Sequence, residues 1–192
     1  MEPLNNTSDF GGNTFKPIHT NDDNSETLDF NIENFGIPLQ LTSHISSNKI
    51  NAFDVSAYIL KKLGQVSSMK LHKLLYYCQA WSLVWDDEPL FENEIEAWSN
   101  GPVVRDIFNY HRGHFMVDNS TFYIGNGNLL SDKQKETVDS VLKYYGDKTS
   151  QWLIELTHLE DPWKDARIGL SPNDKGNIII SLNSMVNYYS SL

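Results

Sequence analysis

The sequence predicts an α+β, predominantly α-helical fold: a compact helical domain with a small two- to three-stranded antiparallel sheet, preceded by an acidic, partly disordered N-terminal arm. Three observations predict it. All five Trp and all nine Tyr of the 192 residues lie beyond residue 50, where a core can form. Apolar residues there recur at helical spacing in segment after segment, each bounded by cap residues, Gly or Pro. Residues 1–48, by contrast, hold seven acids (Glu2, Asp9, Asp22, Asp23, Glu26, Asp29, Glu33) and one base, Lys16, and so carry −6 of the net charge of −10.

The arm is rich in Asn, Ser and Thr and too poor in apolar surface to offset its ordering entropy, so residues 1 to about 25 are expected to be disordered. Residues 28–41 differ. Leu28, Phe30 and Ile32 alternate, as do Phe35, Ile37, Leu39 and Leu41, with Gly36 and Pro38 as punctuation. Alternation is a strand signal. Two readings stay open: an arm that packs on its own domain, or a linear element that orders on a partner through Phe30, Ile32, Phe35 and Ile37.

Residues 49–192 are expected to form the folded domain, a length suited to one core. Asp54 is expected to cap a first helix with Val55, Tyr58, Ile59 and Leu63 inward and Gly64 at its end. Ser67 or Ser68 opens a second helix with an inward stripe of Leu71, Leu74, Leu75, Cys78, Trp81 and Trp85. Asp86-Asp87-Glu88-Pro89 stops it. Glu94–Trp98 alternates as a short strand, Ser99-Asn100-Gly101 turns, and Pro102 suits the first turn of the next helix. Thr121–Ile124 is expected as a second strand. Ser131 and Gln134 form a capping box for a helix carrying Val138, Val141, Leu142 and Tyr145, closed by Gly146. Thr149 opens a helix with Trp152, Leu153, Leu156 and Leu159, and Asp161-Pro162-Trp163 stops it. Ile178–Ile180 is a candidate third strand, and Ser181 begins a last helix with Leu182, Met185, Val186 and Tyr189.

The motifs offer little chemistry. There is no Gly-rich phosphate loop, no nucleophile elbow and no His-Glu-x-x-His. The lone Cys78 lies on an inward stripe, where burial suppresses thiolate formation. His111 and His114 lack nearby partners to complete a zinc set. His72 reads as a surface or rim residue. Glu94 and Glu96 share a strand face, and such rows are usually solvated; a small hydrolase using them with His111 and His114 is the weakest function considered. Lys61, Lys62, Lys70 and Lys73 gather on the first two helices, but an acidic chain without a recognition-helix pattern does not suit nucleic acid. No catalytic residue, metal or cofactor is expected. One cysteine fits a reducing compartment, and no leader or 18-residue apolar run is present, so a cytoplasmic location is expected.

Three motifs resemble those of the Panacea-domain, or SocA-like, family. Lys70-Leu71-His72-Lys73-Leu74-Leu75-Tyr76-Tyr77-Cys78-Gln79-Ala80-Trp81 is similar to its signature helix. Pro89-Leu90-Phe91 follows, and then Glu96-Ala97-Trp98-Ser99-Asn100-Gly101-Pro102-Val103. Pro162-Trp163 with Ala166-Arg167 also looks like the family, and the resemblance covers about residues 52–190. It implies an antitoxin of bacterial or phage toxin–antitoxin systems, binding a cognate protein toxin directly. The alternative it implies is a proteolytic adaptor to a Clp-type protease, or a phage regulatory protein that binds a host protein. It implies no catalysis and no cofactor. Within the motifs, Leu71, Leu74, Leu75 and Trp81 read as core, Tyr76 and Gln79 as internal hydrogen-bonding anchors, and Trp98, Gly101 and Pro102 as a rigid strand-to-helix corner. The motif residues therefore read as fold-keeping, and the partner surface is expected elsewhere.

Overall fold

The computed structural model describes residues 49–192. The expected disorder to about residue 25, the strand at 28–41 and the candidate contacts Phe30, Ile32, Phe35 and Ile37 lie outside the described residues. Those described form seven α-helices and two two-stranded antiparallel sheets.

Helix α1 spans Ala52–Leu63. Its cap is Asn51, whose side chain accepts from the Phe53 and Asp54 amides, while the Asp54 carboxylate accepts from the Asn51 amide. The expected cap Asp54 is thus the third helical residue of a reciprocal capping box. Its other oxygen accepts from the Asn126 amide at 2.9 Å and ties a distant loop to this helix start. Gly64, at φ 71°, ends the helix as expected.

Strand β1 (Val66–Ser67) leads into α2 (Ser68–Trp85), capped by Ser67. Every residue of α2 from Leu71 to Leu83 is buried, because α1, the strand Gly101–Val104 and the helices Asp132–Tyr145, Ser150–Leu159 and Leu182–Tyr189 wrap it. The expected one-sided stripe is therefore an underestimate: a helix buried all round has no polar face to reveal its orientation. His72 and Lys73, expected on the outer side, are buried with it, at 2% and 0% exposure.

Strands β2 (Ile95–Trp98) and β3 (Gly101–Val104) form a hairpin about Ser99-Asn100, with Trp98 opposite Gly101 and Ala97 opposite Pro102. Pro102 lies in a strand, and α3 begins only at Arg105, running to His111. The strand tolerates proline because the pairs alternate: Pro102 sits at a non-hydrogen-bonded position, where its missing N–H costs the ladder nothing. Ile178–Ile180 covers the other edge of β2. Ile178 O accepts from the Ala97 amide and the Ile180 amide donates to Ile95 O, which makes an isolated bridge where a third strand was expected.

Strand β4 is Met116–Val117, paired with β1. The expected strand Thr121–Ile124 is a series of turns, because the Asp118 carboxylate accepts from the Ser120 and Thr121 amides and curls the chain. Helices α4 (Asp132–Tyr145) and α5 (Ser150–Leu159) start at Ser131 and Thr149 as expected, with the Ser131–Gln134 capping box in place. Leu159, the last residue of α5, is exposed. Asp161-Pro162-Trp163 starts a helix, α6 (Asp161–Ala166), where a stop was expected, since proline is at home in a first helical turn. Helix α7 (Leu182–Tyr189) packs its Met185 and Tyr189 inward. No described helix is long and apolar enough to cross a membrane.

Candidate functional site

The polar side chains that the fold buries gather on and around α2. At its N-terminal half, the Lys73 ammonium is fully buried and donates to Pro102 O at 3.1 Å. That carbonyl is free because it points away from β2. Gly101, at φ 95°, holds its Cα against the lysine stem: a Cβ there would lie 2.5 Å from Lys73 Cε and 2.9 Å from Thr157 Oγ1. Burial brings the Lys73 amine down to about 7. From the far side, Trp163 of α6 and Arg167, the residue that caps its end, clamp the carbonyls of β2. Trp163 Nε1 donates to Trp98 O at 2.9 Å, and Arg167 Nη1 donates to Ala97 O at 2.9 Å. The other Arg167 nitrogen donates to Ser171 O and Asp174 O, so one guanidinium holds both the hairpin and the 171–174 turn. On the outer face, Arg105 makes a bidentate pair with Glu96, and Trp98 Nε1 donates to the same carboxylate. Glu96, expected in a solvated row, is buried.

Beside this lies a pair of histidines. The Val104 amide donates to His72 Nδ1, so the His72 proton sits on Nε2 and is donated to His111 Nε2, 2.9 Å away. His111 then carries its proton on Nδ1, a buried atom without a partner. Burial, then the charges of Lys73 and His111, hold His72 well below the ordinary histidine range. Burial also lowers His111. Both rings are neutral at pH 7. His114, read with His111 as a pair, is turned to the helix end, where its Nδ1 meets His111 O. Among the described residues, no three of His, Cys, Asp and Glu converge as a metal set.

One turn beyond Lys73, Tyr77 donates to the buried Glu160 carboxyl at 3.1 Å, and Tyr189 of α7 donates to its other oxygen at 2.7 Å. Burial raises this carboxyl to about 8, against the opposing pull of the tyrosine hydroxyls. Tyr77 stacks on Tyr145 with ring centroids 4.1 Å apart. The Tyr76 hydroxyl faces the same carboxyl but meets no partner in hydrogen-bonding geometry.

The sequence motifs thus converge on α2 and the hairpin. Gln79 bonds both the amide and the carbonyl of Phe91, which ties the signature helix to the Pro89-Leu90-Phe91 motif. Leu71, Leu74, Leu90, Phe91 and Val103 are core, and Trp81 stacks on Trp85 at 4.7 Å. Lys70 donates to Gly146 O. Of the basic cluster, Lys62 pairs with Asp139 and Lys73 is buried, so the four lysines form no common face. Cys78 is buried, which raises its thiol. Sequence reasoning missed the His72–His111 contact, because its partners are 39 residues apart, and the Glu160–Tyr77–Tyr189 cluster, which joins α2 and α7 to the residue between α5 and α6. Exposed apolar side chains lie elsewhere, chiefly Phe115 and Tyr123 in the loops around β4, and Ile168 after α6.

No curated protein and no solved structure matches the chain. The family model described as "Antitoxin SocA-like, Panacea domain" matches residues 71–164, from the first buried turn of α2 to the clamp of Trp163 in α6. Residues 71–164 of the chain thus match the SocA-like Panacea domain of that antitoxin-like family.

Proposed function

We propose that this protein is a non-catalytic cytoplasmic antitoxin that neutralises a cognate protein toxin by binding it directly. The observation that carries the reading is the match of residues 71–164 to the antitoxin-like family. The geometry supports it in kind. Lys73, His72 and Glu160, ionisable groups whose titration burial shifts, are enclosed by packed helices and strands. Exposed aromatic side chains such as Phe115 and Tyr123 are of the type that anchors protein interfaces. A net charge of −10 favours encounter with a basic toxin.

Co-expression tests the reading. A toxin encoded beside this protein should lose its lethality when this protein is abundant, and the two should co-purify in a fixed ratio. Persistent lethality with abundant, folded protein overturns the reading for that pair. Rescue in which the toxin disappears from the cell, and reappears when a Clp-type protease is deleted, replaces direct neutralisation with proteolytic delivery.

A further inference from the structure

The segment 178–180, bridged to β2, has an outer edge left unpaired among the described residues. Ile178 and Ile180 turn their backbone groups to β2, through Ala97 N to Ile178 O at 2.9 Å and Ile180 N to Ile95 O at 2.8 Å. Strand alternation then aims the N–H and C=O of Ile179 the other way. Neither makes a hydrogen bond among the described residues. Natural sheets protect such edges with charges, prolines or bulges. Gly176–Leu182 has no charged residue and no proline. Ile178, Ile179 and Leu182 stand roughly half exposed along it, at 47%, 48% and 43%.

We propose that this edge pairs antiparallel with the same edge of a second copy of the chain, Ile179 opposite Ile179 across a twofold axis. The segment is self-complementary about that residue. Ile178 would meet Ile180 of the second copy, and Asn177 would meet Ser181, apolar against apolar and polar against polar. The Ile179–Ile179 pair would exchange both free backbone bonds, and the two hairpins, each with its bridged 178–180 segment, would join edge to edge. Such an isologous contact closes at two copies. The strip itself adds no charge repulsion to this occupant. Two chains of net charge −10 repel over most of their surfaces, and an uncharged strip is where they approach at least cost. Ile179 lies opposite Glu96, on the sheet face where Arg105 already neutralises that carboxylate.

Sedimentation of the full chain over a concentration series tests the proposal, read together with hydrogen exchange at the Ile179 amide. The expected result is a monomer–dimer equilibrium in which protection of that amide rises with concentration. Ile179→Lys and Ile179→Glu each place like charges face to face, and each should weaken the dimer at least tenfold. The side chain is half exposed, so both variants should keep the near-ultraviolet dichroism of the parent. Mixing the two variants should restore association, because only a twofold contact sets residue 179 opposite itself. A chain that stays monomeric, a dimer indifferent to both substitutions, folded variants whose mixture fails to associate, or protection independent of concentration would each overturn the proposal.

Discussion

Lys73 and Tyr77 lie one turn apart on one face of α2, yet the two levels bury ionisable groups by different means. At the first level a base is enclosed by main chain: Lys73 has one acceptor, Pro102 O, and the Cα of Gly101 lies against its stem. At the second an acid is enclosed by side chains: Glu160 receives two tyrosine hydroxyls. No ion pair joins Lys73 to Glu160 among the described residues, and burial moves each group towards its neutral form. The difference teaches that the hairpin level depends on shape and the tyrosine level on donors. The two should fail to different substitutions.

The largest expected effect is at the hairpin. Gly101→Val combines a positive-φ position with a Cβ 2.5 Å from Lys73 Cε, and should cost about 4 kcal/mol in urea unfolding. Gly64→Ala is the comparison, since Gly64 also has positive φ but nothing within 4 Å of its Cβ direction. It should cost only about 1 kcal/mol, the strain alone. Equal losses would mean that Lys73 swings clear and that the hairpin does not hold it.

At the other level, Tyr189→Phe removes the 2.7 Å hydrogen bond and leaves a Glu160 oxygen unpaired, for an expected loss of about 2 kcal/mol. Tyr77→Phe, at 3.1 Å, should cost less. Reversal of that order would place the stronger donor on α2 and make α7 dispensable to the carboxyl.

The pH dependence should separate the two levels by sign. Glu160 titrates at about 8 in the fold and near 4.3 unfolded, so the native state holds a proton that the unfolded chain lacks in between. Its stabilising contribution is complete below about pH 4.3 and is lost as pH rises to about 8. Lys73 titrates at about 7 in the fold and near 10.4 unfolded, so the unfolded chain holds the extra proton. Its contribution is complete above about pH 10.4 and is lost as pH falls to about 7. Each limb has a maximal slope of about 1.4 kcal/mol per pH unit. Glu160→Gln should flatten the falling limb alone, and Lys73→Met the rising limb alone, in unfolding free energies measured from pH 4 to pH 10. If either variant flattens both limbs, the two groups are coupled and the separation into levels is wrong.

The second level was far less legible in the sequence than the first. Helix boundaries were readable where caps are local, as at Ser131–Gln134, Thr149 and Ser181, because one side chain and one amide decide them. Asp54 misled because Asn51, three residues earlier, supplies the better reciprocal pair. Pro102 misled because the pairing register that makes its missing N–H harmless is a property of two strands. The burial of His72 and Lys73 was hidden because α2 is enclosed on every side, so its amphipathic period is weak and a polar residue looks like an outer face. The signature motifs marked the hairpin and its clamp. Nothing local marks Glu160: its partners come from α2 and α7, and only the packing of those helices against the α5–α6 junction turns an unremarkable acid before Asp161-Pro162 into a buried carboxyl.

The smallest expected effect tests how many donors that carboxyl has. Tyr76 is fully buried on α2, faces Glu160, and has a hydroxyl without a hydrogen-bonding partner. A buried hydroxyl that makes no bond carries its desolvation cost without return, so Tyr76→Phe should change stability by less than about 0.5 kcal/mol, or raise it slightly. The phenyl ring keeps its edge contacts with Tyr77 and Tyr189, at centroid distances of 5.3 and 6.1 Å, so the aromatic packing is unaltered and the hydroxyl alone is tested. Urea midpoints of Tyr76→Phe and Tyr189→Phe, measured side by side, give the comparison. A loss at Tyr76 as large as that at Tyr189 would make it a third donor to Glu160. The tyrosine level would then hold its acid by three bonds, and the contrast with the single acceptor of Lys73 would be sharper than the present geometry draws it.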